Sequence, residues 1–146
     1  MFRTVSGIGA VAVLLGAMAA CSPAPPIPSG ADRVIEIDID GMSFVPDRLE
    51  VSRGETVAFV VNNPDDIIHE LFVGTEQDQR AHRAQHLGAA EADQILIPHL
   101  GYGIYVDARG SGVLTYHFAQ AGEFMIGCHL PGHWEAGMVA YITVTD

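Results

Sequence analysis

From Arg33 to Asp40 the chain alternates strictly, with Ile35, Ile37 and Ile39 on one side and Glu36, Asp38 and Asp40 on the other. That period of two predicts a half-buried strand. Phe44, Leu49 and Val51 extend the apolar pattern around a Pro46-Asp47 turn. Residues 55–63 predict a second clear strand with Val57, Phe59 and Val61 inward, broken by Asn62-Asn-Pro-Asp-Asp66. In the next apolar run Ile67, His69, Leu71 and Val73 share one face. Leu114, Tyr116 and Phe118 alternate again, leaving His117 toward solvent. Further on, Phe124, Ile126 and Cys128 point inward, with Met125, Gly127 and His129 on the opposite face. Met138, Ala140, Ile142 and Val144 form the inner face of a final strand.

Residues 75–87 break this pattern. Thr75 and Asp78 make a capping pair, the first turn is acidic and Gly88 supplies a stop, so the segment predicts a short helix. His82 and His86 then lie one turn apart on the same face. With no third ligand evident beside them, they are expected on a solvated face. The run from there to Gly112, with His99 in an irregular stretch, is expected to be loop. About seven short strands and one helix predict an all-β fold, an antiparallel sandwich with a helical insertion.

The chain has 146 residues, enough for one domain after a leader. Residues 1–20 have the form of a signal peptide: Arg3, an apolar run from Ile8 to Leu15, then Ala17-Met-Ala-Ala20. Met18-Ala-Ala-Cys21 also has the form of a lipoprotein box, which would put a lipid anchor on Cys21. Four prolines between Ser22 and Gly30 make residues 21–32 a semi-extended spacer, leaving 33–146 as the folded domain. The expected address is therefore exported: anchored on the outer side of the cytoplasmic membrane, or in the periplasm. Without Arg3, six arginines face 18 acidic residues and there is no lysine. That balance makes nucleic acid an improbable partner.

Cys128, His133 and Met138 follow one another at five-residue intervals near the end of the chain. Thiolate, imidazole and thioether together suit copper, and one more imidazole would complete a set of two histidines, a cysteine and a weak methionine. His69 is the best upstream candidate. An exported thiol left unpaired is an oxidation liability that burial under a metal would remove, which agrees with Cys128 as a ligand.

These residues resemble the cupredoxins, the small blue-copper proteins. The likeness rests on Gly127-Cys-His-Leu-Pro-Gly-His-Trp-Glu-Ala-Gly-Met138, on Met42-Ser-Phe-Val-Pro46 and Val51-Ser-Arg-Gly-Glu-Thr-Val57, and on Asn62-Asn63 ahead of the histidine. It covers residues 33–146 and is especially close to exported bacterial members. The resemblance implies a Greek-key β-sandwich with one type 1 copper at its end, held by His69, Cys128, His133 and Met138. It also implies a monomeric electron carrier, not an enzyme, serving a redox partner protein. His133 would be the electron port, and Leu130, Pro131 and Trp134 a docking patch. One departure stands out: Glu70 occupies the position after the first histidine, where many members have Asn or Ser. Zinc fits poorly because methionine is a weak zinc ligand. His129 beside Cys128 would suit a multicopper oxidase, but those need His-x-His pairs and the chain has none. A copper-delivery protein that holds the metal without redox cycling is the remaining alternative.

Overall fold

The computed structural model describes residues 26, 28–88 and 102–146. The segment expected to be a signal peptide, Cys21, half of the proline-rich spacer and His99 lie outside them. Two sheets face one another. The first runs β2 (Ser43–Val45), β1 (Arg33–Asp40), β4 (Thr56–Asn62), β7 (Ser111–His117). The second runs β3 (Arg48–Ser52), β9 (Val139–Thr145), β8 (Gly122–Gly127), β5 (His69–Gly74), β6 (Gly103–Val106). A single described helix, α1 (Glu76–Gly88), follows β5. The architecture is the β-sandwich with one short helix that the pattern predicted.

The alternating residues meet as expected. Ile37, Ile39, Val57, Phe59, Val61 and Leu114 from one sheet pack against Leu71, Val73, Ile126, Ala140, Ile142 and Val144 from the other. Each large aliphatic group so buried contributes about 1.5–3 kcal/mol. Phe118 closes one end, edge-on to Phe59 and Phe124 with centroids 6.3 and 5.5 Å away.

Three expectations are corrected. The sandwich is mixed, because β1 pairs with β4 and β3 with β9 in parallel. Parallel neighbours need crossovers between sheets, and alternation within a strand carries no trace of its partner's direction. The glycine-rich run read as loop contains β6, which pairs with β5 from His69↔Val106 to Phe72↔Gly103. Four residues between glycines are too short to show a period. Finally, β5 begins at His69, and Ile67 is 45% exposed instead of facing the core.

Helix α1 is the less expected element. Thr75 and Asp78 cap it reciprocally: Thr75 N–H donates to Asp78 Oδ2 at 2.9 Å, and Asp78 N–H donates to Thr75 Oγ1 at 3.3 Å. It then buries Gln79, His82 and His86 against the second sheet while Leu87 is 69% exposed. The helix packs its polar face inward. Two glycines let it come close: a Cβ on Gly74 would lie 2.7 Å from Asp78 Cβ, and one on Gly127 would lie 2.6 Å from Gln79 Oε1.

Candidate metal centre

Strand geometry assembles the site. The β8–β9 ladder ends at Gly127↔Val139, so Cys128 and Met138 are the next facing pair, joined by the Cys128 N–H donating to Met138 O at 3.2 Å. Between them the loop folds on its own backbone. His133 N–H donates to Leu130 O at 3.0 Å, and Met138 N–H to His133 O at 3.1 Å. Gly132 and Gly137 take φ of 85° and 91°, values side chains disfavour, and so allow the two tight turns. His69 enters from the start of β5 in the same sheet.

One donor atom from each of His69, Cys128 and His133 lies within 4.8 Å of the other two. Cys128 Sγ and His133 Nδ1 are 3.2 Å apart, and the two imidazole rings are 5.0 Å apart between centroids. His69, Cys128 and Met138 are fully buried, whereas His133 is partly exposed. Three of the residues proposed from the sequence, His69, Cys128 and His133, thus have donor atoms brought to one place, and Met138 faces Cys128 across the end of the ladder.

The surroundings fix each donor. His69 Nε2–H donates to Asp65 Oδ2 at 3.1 Å, which directs Nδ1 to act as the ligand nitrogen. That Nδ1 is buried without a hydrogen-bond partner. An unpartnered buried nitrogen is costly, and a metal ion beside the thiol would satisfy it. Asp65 is itself held, its N–H donating to Asn63 Oδ1 at 3.1 Å while Asn63 Nδ2 donates to Ile67 O and Asp107 O at 2.8 and 2.9 Å. Cys128 Sγ accepts the Glu70 N–H at 3.4 Å.

Burial pushes the Cys128 thiol up to about 12, against the opposing pull of the Glu70 and Leu130 amides. Burial also lowers His69, although Asp65 pulls the other way, and it lowers His133 with help from the neighbouring His69. Two neutral imidazoles beside a thiol suit a soft or borderline metal, since only one proton must leave. The donor set fits copper.

Several participants escaped the sequence. Asp65 is one turn-residue among several, with nothing to mark it as the partner of His69. Glu70, the departure from the family pattern, ties the two elements by its side chain: Oε2 accepts the His129 N–H at 2.6 Å, binding β5 to the ligand loop. His129 points away from Cys128, as expected, toward Gln79 Oε1 at 2.7 Å, and Trp134 stacks on it at 4.6 Å. Trp134 is therefore loop packing, and Leu130 is buried in the core, which removes it from the proposed surface patch. His117 is exposed as expected, 3.1 Å from Thr56 Oγ1. His82 and His86 are not solvated; each is 3% exposed.

Known proteins agree with this chemistry. Residues 31–145 match the profile described as copper-binding proteins of the plastocyanin/azurin family. The chain is 39% identical to the copper-resistant cuproprotein CopI of Rubrivivax gelatinosus over 78% of its own length and 67% of that protein. It is 31% identical to the protein of the same name from Pseudomonas aeruginosa, over 90% of this chain and 91% of the relative. Among solved structures, auracyanin B superposes with a TM-score of 0.68 at 20% identity, covering 82% of this chain and 94% of its own.

Proposed function

The chain belongs to the plastocyanin/azurin family of copper-binding proteins, and on that premise we propose that it is a one-electron carrier with a type 1 copper centre. His69, Cys128 and His133 would hold the copper as strong donors, with Met138 as a weaker fourth. The observation that carries this reading is the convergence of two imidazoles and a thiol within 4.8 Å of one another, with His69 and Cys128 buried. Copper bound there supplies a Cu(I)/Cu(II) couple whose potential depends on the axial ligand and on hydrogen bonding to the sulfur.

The chain's own part is to keep the donors still and dry. Cys128 and Met138 sit on neighbouring strand ends, and His69 is held by Asp65. Donors fixed this way need little rearrangement between oxidation states. His133 alone among the four is partly exposed, so its ring edge is the route to a redox partner protein. The role proposed is that of a carrier and not an enzyme.

The test is the visible spectrum of the copper-loaded protein. An intense thiolate-to-copper band is expected in the wild type and absent in Cys128→Ser. A band that survives the substitution removes the thiolate from the site.

A second reading, copper handling in metal resistance, is favoured by the 39% identity to a copper-resistant cuproprotein. Reducing the loaded protein beside a Cu(I) chelator and then reoxidising it separates the two. Full recovery of the band supports the carrier, and rapid loss of copper supports delivery. In either role the protein acts outside the cytoplasm as a monomer, exported by residues 1–20 and tethered through Cys21 and the 21–32 spacer. Membrane fractionation of wild type against Cys21→Ala checks the tether, which is wrong if the wild type is soluble.

A further inference from the structure

The buried polar face of helix α1 meets the carboxylate of Glu70. His82 Nε2 lies 2.7 Å from Glu70 Oε1, His86 Nε2 lies 3.2 Å from the same oxygen, and the two nitrogens are 3.2 Å apart. All three residues are buried. We propose that Glu70, His82 and His86 form a second metal site, one that takes a divalent borderline ion, zinc(II) or copper(II).

Protons alone serve this triangle badly. If both nitrogens carry hydrogen and donate to Oε1, two N–H dipoles lie side by side in a buried place. If either nitrogen is bare, its lone pair faces the carboxylate. At best two of the three contacts are hydrogen bonds. One cation turns all three atoms into donors. Ligands about 2.0 Å from a tetrahedral zinc lie roughly 3.3 Å from one another, close to two of the three separations found here. Imidazole and carboxylate without sulfur are donors for zinc(II) or copper(II), unlike the soft set at Cys128.

The helix presents both rings to that carboxylate: it turns His82 and His86 inward, beside a Gln79 whose Nε2–H₂ donates to Phe72 O and Met125 O, and leaves Leu87 outside. The rings are also held in place: Phe72 stacks on His82 at 4.1 Å between centroids and 7° between planes. A cleft of about 230 Å³ lined by Arg83, His86, Leu87, His129, Pro131 and Trp134 reaches the site from outside and provides an entry path.

Glu70 would join this ion to the first centre. Its Oε2 holds the amide of His129, and its own amide donates to Cys128 Sγ. The second site does not depend on the thiolate centre being a redox carrier, and the experiment keeps the two apart.

The full chain is loaded with copper(II), freed of excess metal and then titrated with zinc(II), with metal per chain measured by mass spectrometry. The wild type is expected to hold two ions, one of them giving the thiolate band. His82→Gln/His86→Gln is expected to hold one ion with that band retained. A wild type that binds one ion and shows the thiolate band overturns the proposal, and this arm needs no variant to fold. Two ions persisting in the double variant overturns it equally.

Discussion

The backbone N–H of Glu70 points at Cys128 Sγ, 3.4 Å away, while the Glu70 carboxylate grips the amide of the residue after that cysteine. One residue therefore fixes both the sulfur and the loop that carries it. Replacing Glu70 by alanine keeps the first bond, removes the second so that the His129 N–H is left buried and unpaired, and also takes the shared carboxylate oxygen from His82 and His86. That should cost the metal-free protein about 1–3 kcal/mol in urea unfolding. Glu70→Gln retains an acceptor and should lose less. Equal stability of Glu70→Ala and wild type would mean that the carboxylate does not hold the loop.

Asp65 acts on the centre through His69. Losing the bond from Nε2 frees the ring to rotate and to change tautomer, and partners of this kind are worth about 10–100-fold in metal affinity. Asp65→Ala should weaken copper binding by that factor in a chelator competition, with little change in the visible band. Unchanged affinity would show that strand packing alone orients the ring.

Copper loading should release one proton. Burial holds the Cys128 thiol up at about 12 and keeps His69 and His133 below their usual 6.5. Between those limits both imidazoles are neutral and the thiol is protonated, so only the thiol must ionise. Apparent affinity should rise about tenfold per pH unit across this window. Calorimetry in buffers of different ionisation enthalpy counts the proton. Release of none, or of two, contradicts the assignment.

His129 should make the metal-free protein acid-sensitive. Burial lowers its pKa to about 4; Glu70 pulls it back upward, and His82, His86 and Arg83 push it further down. An unfolded imidazole takes up its proton near 6.5 and the folded one only near 4. Between these values the unfolded state binds more protons, so stability falls as pH falls. The loss should reach about 3 kcal/mol. His129→Gln should flatten that part of the stability curve, and a slope unchanged by the substitution would locate the acid sensitivity elsewhere.

Much of this was legible in the sequence for a specific reason. A strand shows alternate residues to one face, so Ile126 with Cys128, and Met138 with Ala140, announced their common side before any partner was known. Five-residue spacing along one hairpin then kept Cys128, His133 and Met138 within reach of each other. The donor chemistry called for one more imidazole and made His69 the upstream candidate, although local spacing could not connect it to a hairpin some sixty residues away.

What the period could not say is what a face will meet. The spacing of His82 and His86 put them on one side of a helix, and with no third ligand evident beside them that side was expected to face water. Only the closing of α1 over β5 and β8, allowed by the missing side chains at Gly74 and Gly127, sets those groups against Glu70. Strand direction, the pairing of β6 and the grip of Asp65 on His69 were decided in the same way. Periodicity is a property of one segment and its solvent, whereas these contacts depend on the segments that pack against it.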